Sequence, residues 1–160
     1  MSFFRALQDS AFTDWFLGSD SIWAYPTVLT LHTVGMAMLV GASIVVHLRV
    51  WQVGAAIPIA QFRPLYRIIW AGFTINLLSG LVLFVTEAAD RVVDPVFYIK
   101  LGAIFAALWL GVVVKRRVID TDRPTQPSST APVRSLSAAS LALWTTAIVA
   151  GRLMAYLTKK

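Results

Sequence analysis

Residues 21–48 contain no Asp, Glu, Lys or Arg. A helix rises about 1.5 Å per residue, so a run of this length crosses the roughly 30 Å hydrocarbon core of a bilayer. Three further stretches are nearly as free of charge: 68–86, 95–114 with Lys100 inside it, and 135–158 interrupted only by Arg152. The expectation is an all-α integral membrane four-helix bundle forming one domain over 1–160, because a charge at membrane depth is costly and these runs avoid it. An amphipathic surface helix is expected within 1–20. Spans are expected over 22–50, 66–88 and 95–117, then a linker over 118–134 and a fourth span over 135–157.

Composition agrees: 58% of residues are hydrophobic and 14% charged, against roughly 25% charged in a soluble domain. There is no cysteine, which removes disulfides, thiolate metal sites, iron–sulfur clusters and covalent c-type haem attachment. Any cofactor must be held by nitrogen or oxygen ligands. The net charge of +6 would suggest nucleic acid only on a folded soluble face.

The charges instead orient the helices. Arg49, Arg63 and Arg67 lie between the first two spans with no acid, and Lys115, Arg116, Arg117, Arg123 and Arg134 lie between the last two against Asp120 and Asp122. By the positive-inside rule these two segments are cytoplasmic. Asp9, Asp14, Asp20, Glu87, Asp90 and Asp94, with Arg5, Arg91 and the Lys159-Lys160 pair, fall on the other side. Both termini are therefore expected outside, in the periplasm of a bacterial inner membrane. The bilayer and its anionic lipids are the expected partners of the positive balance, and no nucleic acid is expected.

Trp23, Tyr25, Trp51, Tyr66, Trp70, Tyr98 and Tyr156 mark span borders, where amphipathic rings prefer to sit. Gly35, Gly41, Gly72, Gly80, Gly102, Gly111 and Gly151 lie inside the spans, where small residues allow close helix packing. Over 2–17, helical spacing puts Phe3, Phe4, Leu7, Ala11, Phe12, Trp15 and Phe16 on one side and Arg5, Gln8, Asp9, Thr13 and Asp14 on the other. That pattern predicts one helix lying on the outer membrane surface. Its acids do not fit a cleavable signal peptide. Residues 120–132, with Pro124, Pro127 and Pro132, read as a flexible linker.

Few ionisable groups lie at membrane depth: His32, His47, Lys100 and Arg152, with Asn76 and Glu87 beside them. At 1.5 Å per residue, His32 lies about 13 Å below Trp23, Lys100 about 7 Å below Pro95 and Arg152 about 6 Å below Tyr156. Three helices thus carry a nitrogen-bearing side chain in the outer half of the membrane. Each has a bland account. His32 could bond a neighbouring helix, and Lys100 and Arg152 could snorkel to the surface; their shared depth is what groups them. Gly35 beside His32 offers room for a flat macrocycle. His47 lies about 22 Å along the helix from His32, too far to share an iron, and is expected to reach headgroups or water at the inner border. Gly72, Asn76, Ser79, Gly80 and Glu87 form a small, polar stripe expected to face the bundle interior. No repeat, phosphate loop, nucleophile motif or zinc spacing is present, so no catalytic residue is assigned.

The strings Trp23-Ala-Tyr-Pro, Leu31-His32-Thr-Val-Gly35, Leu39-Val-Gly41, His47-Leu-Arg49, Trp70-Ala-Gly72-Phe, Ser79-Gly80, Phe97-Tyr-Ile-Lys100-Leu and Gly151-Arg152-Leu resemble a group of small bacterial membrane proteins classed as domain of unknown function 6644. At longer range the helix 1 histidine and the Lys-Leu opening of helix 3 resemble HemJ-type protoporphyrinogen oxidases and CopD-type proteins, four-helix modules in which that histidine and lysine are associated with b-type haem. An acidic residue often precedes the Leu-Arg pair in the family, where this chain has His47. Further histidines and polar motifs of the HemJ-type enzymes have no counterpart here.

The resemblance implies haem b with His32 and Lys100 as candidate iron ligands on facing helices. Arg152 would neutralise propionates, with Gly35 and Asn76 beside the cofactor. Such a protein would pass electrons between a redox protein or membrane donor and quinone, as a partner subunit, since loops this short carry no catalytic domain. A homo-oligomer is compatible with the sequence. The first rival is a cofactor-free scaffold in which His32, Lys100 and Arg152 form a structural polar network. The second is copper handling, for which Met1, Met36, Met38 and Met154 without any cysteine supply few soft ligands.

Overall fold

The computed structural model describes residues 2–19, 23–120 and 130–157, and these contain helices and connecting turns but no strand. Seven α-helices follow in order: α1 Ser2–Gln8, α2 Ala11–Gly18, α3 Tyr25–Val50, α4 Leu65–Thr86, α5 Ala88–Val93, α6 Pro95–Val114 and α7 Ala131–Leu157. Four helices, built on α3, α4, α6 and α7, are long and apolar enough to cross a membrane. Their outward faces are apolar as well. Leu78 is 59% exposed, Phe105 56% and Trp109 66%, a surface that a soluble monomer does not carry and that lipid covers. The chain is a membrane protein.

The long helices pack chiefly as two antiparallel pairs, α3 with α4 and α6 with α7, joined through α3 and α7. The α3–α4 seam is a backbone contact. A Cβ on Gly35 would lie 2.7 Å from Asn76 N, and one on Gly72 would lie 2.7 Å from Leu39 N and 2.8 Å from Gly35 O. Only glycine allows this approach. The other span glycines behave differently: Gly41, Gly102 and Gly111 face open space, Gly80 lies under the His32 ring, and Gly151 lies under the Lys100 side chain. Gly35 therefore serves the helix crossing and does not make room beside His32 for a macrocycle.

Where the chain departs from expectation, a local interaction is responsible. The single helix expected over 2–17 breaks at Asp9 and Ser10, because the Ser10 side chain accepts the Thr13 backbone N–H at 3.4 Å and starts α2 afresh. Gln8 then reaches α5, accepting from Ala89 N at 2.9 Å and donating to Asp90 at 3.3 Å. The third long helix runs past 117 through a π turn, Lys115–Ile119, that buries Val118 and Ile119. The fourth begins at Ala131 rather than 135. Most of the expected flexible linker, 121–129, lies outside the described residues.

At its far end α3 stops in a Schellman motif, with Val53 N–H donating to Leu48 O at 3.1 Å and Gln52 N–H to Arg49 O at 3.0 Å. Gln52 pays for it with a left-handed backbone, φ 68°. Arg49 turns back under the loop, donating to Ile57 O at 3.0 Å and Ala55 O at 3.3 Å. The hairpin to α4 is thus fixed by one buried guanidinium.

Candidate functional site

His32 and Lys100 come together. They line one cleft of about 400 Å³, with Tyr25, Leu29, Gly80, Leu83, Phe84, Thr86, Glu87, Arg91, Phe97, Gly151 and Met154 around them. This volume lies within the range of small-molecule sites, which is about 300–1,000 Å³. The wall is mixed: Leu29, Leu83, Met154 and the stacked pair Phe84 and Phe97, 5.5 Å apart, share it with His32, Thr86, Glu87, Arg91 and Lys100.

The α3–α4 seam positions the His32 ring. Ser79 Oγ donates its one proton to Ile75 O at 2.6 Å, so toward His32 Nδ1, 3.1 Å away, it can act only as an acceptor. Nδ1 therefore carries the ring proton and Nε2 keeps its lone pair. Asn76 Nδ2 donates to the His32 carbonyl at 2.9 Å and stands 3.5 Å from Nε2, a distance that leaves the lone pair weakly engaged. A serine that fixes the tautomer of an imidazole is the support that nitrogen ligation requires. Asn76 is buried in the seam behind His32 rather than on the cleft wall.

Lys100 enters from α6 across Gly151 of α7, where an added Cβ would lie 3.8 Å from Nζ. Among the described residues Nζ has no hydrogen-bond or ion-pair partner. Gly80 does the same for His32, since a Cβ there would approach Cε1 to 3.1 Å. Two glycines on two helices thus leave the space that two nitrogen-bearing side chains occupy.

Arg152 does not join them. It is exposed and its guanidinium lies over the Tyr156 ring, 5.9 Å from the centroid. One residue earlier, Gly151 faces the cleft, and a single step along a helix turns a side chain about 100° away. The guanidinium on the cleft wall is instead that of Arg91, which the sequence leaves in a connecting segment. Its guanidinium donates to Glu87 (2.8 Å from Nε), lies 3.9 Å from Asp94 Oδ2 and reaches Met154 O at 3.4 Å, tying α5 to α6 and α7. No sequence signal beyond the i, i+4 spacing from Glu87 points to it. Met154, also buried on the cleft wall, is equally unmarked in sequence.

His47 does not reach headgroups or water. It is 1% exposed, with Nδ1 hydrogen-bonded to Ser137 Oγ at 2.9 Å across the α3–α7 contact. The cavity it borders with Ser43, Tyr66 and Trp144 measures about 20 Å³, space for one water and not for an organic cofactor.

No protein-family model, curated protein or solved structure matches this chain.

Proposed function

We propose that this protein binds one b-type haem in the His32–Lys100 cleft and passes electrons between a redox protein or membrane donor and quinone, as a partner subunit in the bacterial inner membrane. The observation that carries the reading is the His32 imidazole, whose Nδ1 is held by Ser79 at 3.1 Å and whose ring lines the same cleft as Lys100. Three features support the fit: a histidine held by Ser79, glycines that leave room for the His32 and Lys100 side chains themselves, and the stacked Phe84–Phe97 pair. His32 would hold the iron, with Lys100 as the second nitrogen. Arg91 takes the propionate-facing role that the sequence gives to Arg152. When bound, the haem supplies a one-electron couple. The protein's part is to orient the ligands, line the site with Leu29, Leu83, Phe84 and Phe97, and present the guanidinium of Arg91, held by Glu87, at the cleft wall.

The same proposal includes a four-helix bundle with both termini outside and α1 and α2 lying on the outer surface. Arg49, Arg63 and Lys115 at one end and Asp9, Asp14, Asp90 and Asp94 at the other support that orientation. Membership of the domain of unknown function 6644 group belongs to it too, on the motifs quoted above.

A cofactor-free scaffold is the rival that one observation favours: the His32, Ser79 and Asn76 bonds already stitch α3 to α4 without a ligand. The triad first expected for that scaffold loses Arg152. Copper handling gains nothing, since the described residues hold no group of three His, Cys, Asp or Glu able to take a metal ion.

The test is the absorption spectrum of protein purified in detergent from cells with full haem supply. A Soret band at one haem per chain is expected. A colourless wild type, or a band unchanged in His32→Ala, overturns the proposal, and a colourless wild type whose His32→Ala and Lys100→Ala variants lose stability establishes the scaffold.

A further inference from the structure

The opposite end of the bundle, where α3 stops and α4 begins, holds a second open cleft of about 510 Å³ lined by Arg63, Tyr66, Arg67, Trp70, Lys115 and Asp120. It has three cations against one acid. Asp120 is shared: Lys115 Nζ lies 3.1 Å away and Arg63 Nε 3.9 Å away. Arg63 also donates to Ile119 O at 3.1 Å, and Lys115 rests over the Tyr66 ring, 5.5 Å from its centroid. The Arg67 guanidinium has no hydrogen-bond or ion-pair partner among the described residues.

We infer that this cleft is a binding site for the phosphate headgroup of an anionic phospholipid. One acid cannot neutralise three cations, and both Arg63 and Lys115 are pre-positioned on the groove by their other contacts, which lowers the ordering cost of a phosphate contact. Arg67 supplies the uncommitted guanidinium. The flanking surface selects lipid over free phosphate. Trp70, half exposed at the rim, contacts Phe73 at 5.8 Å, and Phe73 contacts Phe105 of α6 at 6.5 Å. This aromatic ladder runs from the cationic rim along the apolar helix faces, where the acyl chains of a bound lipid would lie. Basic pockets between spanning helices recognise lipid headgroups by this combination of charge and depth.

Native mass spectrometry of the full chain from detergent micelles, with phosphatidylglycerol or phosphatidylcholine added, tests the inference. One phosphatidylglycerol retained per chain, with phosphatidylcholine lost, is the expected result. Arg67→Gln should weaken retention about fivefold, the effect of one cation near a membrane surface. Arg63→Gln should do the same independently, so that misfolding of one variant leaves the other decisive. Arg116→Gln removes equal charge outside the cleft and should leave retention unchanged. Equal losses from Arg67→Gln and Arg116→Gln would reduce the site to diffuse attraction and overturn the inference. So would equal retention of both lipids, or displacement of the lipid by excess inorganic phosphate.

Discussion

His32 and His47 sit on the same helix, each with Nδ1 hydrogen-bonded to a serine of a neighbouring helix, at 3.1 Å to Ser79 and 2.9 Å to Ser137. What separates them is space. His32 borders a cleft of about 400 Å³, and His47 a void of about 20 Å³. The two environments turn the same chemistry to different ends. A tautomer-fixed imidazole beside a ligand-sized cleft is a candidate ligand, whereas one enclosed by Ser43, Tyr66, Ser137 and Trp144 contributes packing and a satisfied hydrogen bond. Lys100 follows the first pattern and Arg49 the second: one reaches a cleft without a partner, the other is spent on holding a loop.

The comparison can be broken at either histidine. His47→Ala should be the most damaging change to the fold. It opens a cavity in the core and strands Ser137, at a cost of about 3 kcal/mol seen in thermal unfolding in detergent. His32→Ala, beside an existing cleft, should cost less stability. Equal losses would dissolve the distinction between them. Gly72→Ala is expected to cost about 2 kcal/mol by forcing α3 from α4. It should disturb pigment binding as well, because the His32–Ser79 bond crosses that seam, while the His47–Ser137 bond runs to α7 and should survive. An unchanged pigment in a destabilised Gly72→Ala protein would contradict the role of the seam.

Ser79→Ala removes a single hydrogen-bonding atom, the Oγ beside His32 Nδ1. With Nδ1 released, the ring can turn and change tautomer, and pigment affinity should fall at least tenfold in a titration of the apoprotein with haem. Ser137→Ala should leave that affinity unchanged. Smallest of all, Gln52→Gly should add about 1 kcal/mol by relieving the left-handed residue at the end of α3 without moving the spectrum. A spectral change there would mean that the two ends of α3 are coupled.

The spans were legible because the signal is local: a charge-free run of helical length has few alternatives in any context. The meeting of His32 with Lys100 was legible from depth, since two residues at one level on packed helices have only their rotational phase left to settle. Phase is where Arg152 failed. Depth placed it correctly, but Gly151 holds the inward position and Arg152 points away. Arg91 was hidden for the opposite reason, because a cation between spans reads as topology and its return to the cleft depends on Glu87 and Asp94 holding it there. His47 was misplaced as a border residue because its partner Ser137 is 90 positions away, and no local pattern reports such a bond. The break between α1 and α2 is a competition within one stretch, where an amphipathic period continued through a serine that caps better than it propagates.

On the function proposed, the cleft at His32 holds haem and the void at His47 does not. Haem content per chain, read from the pyridine haemochrome spectrum of wild type, His32→Ala and His47→Ala purified side by side in detergent, tests it most directly. One haem in the wild type and in folded His47→Ala, with none in His32→Ala, is the predicted result. Haem retained by His32→Ala, or absent from all three proteins, would contradict it.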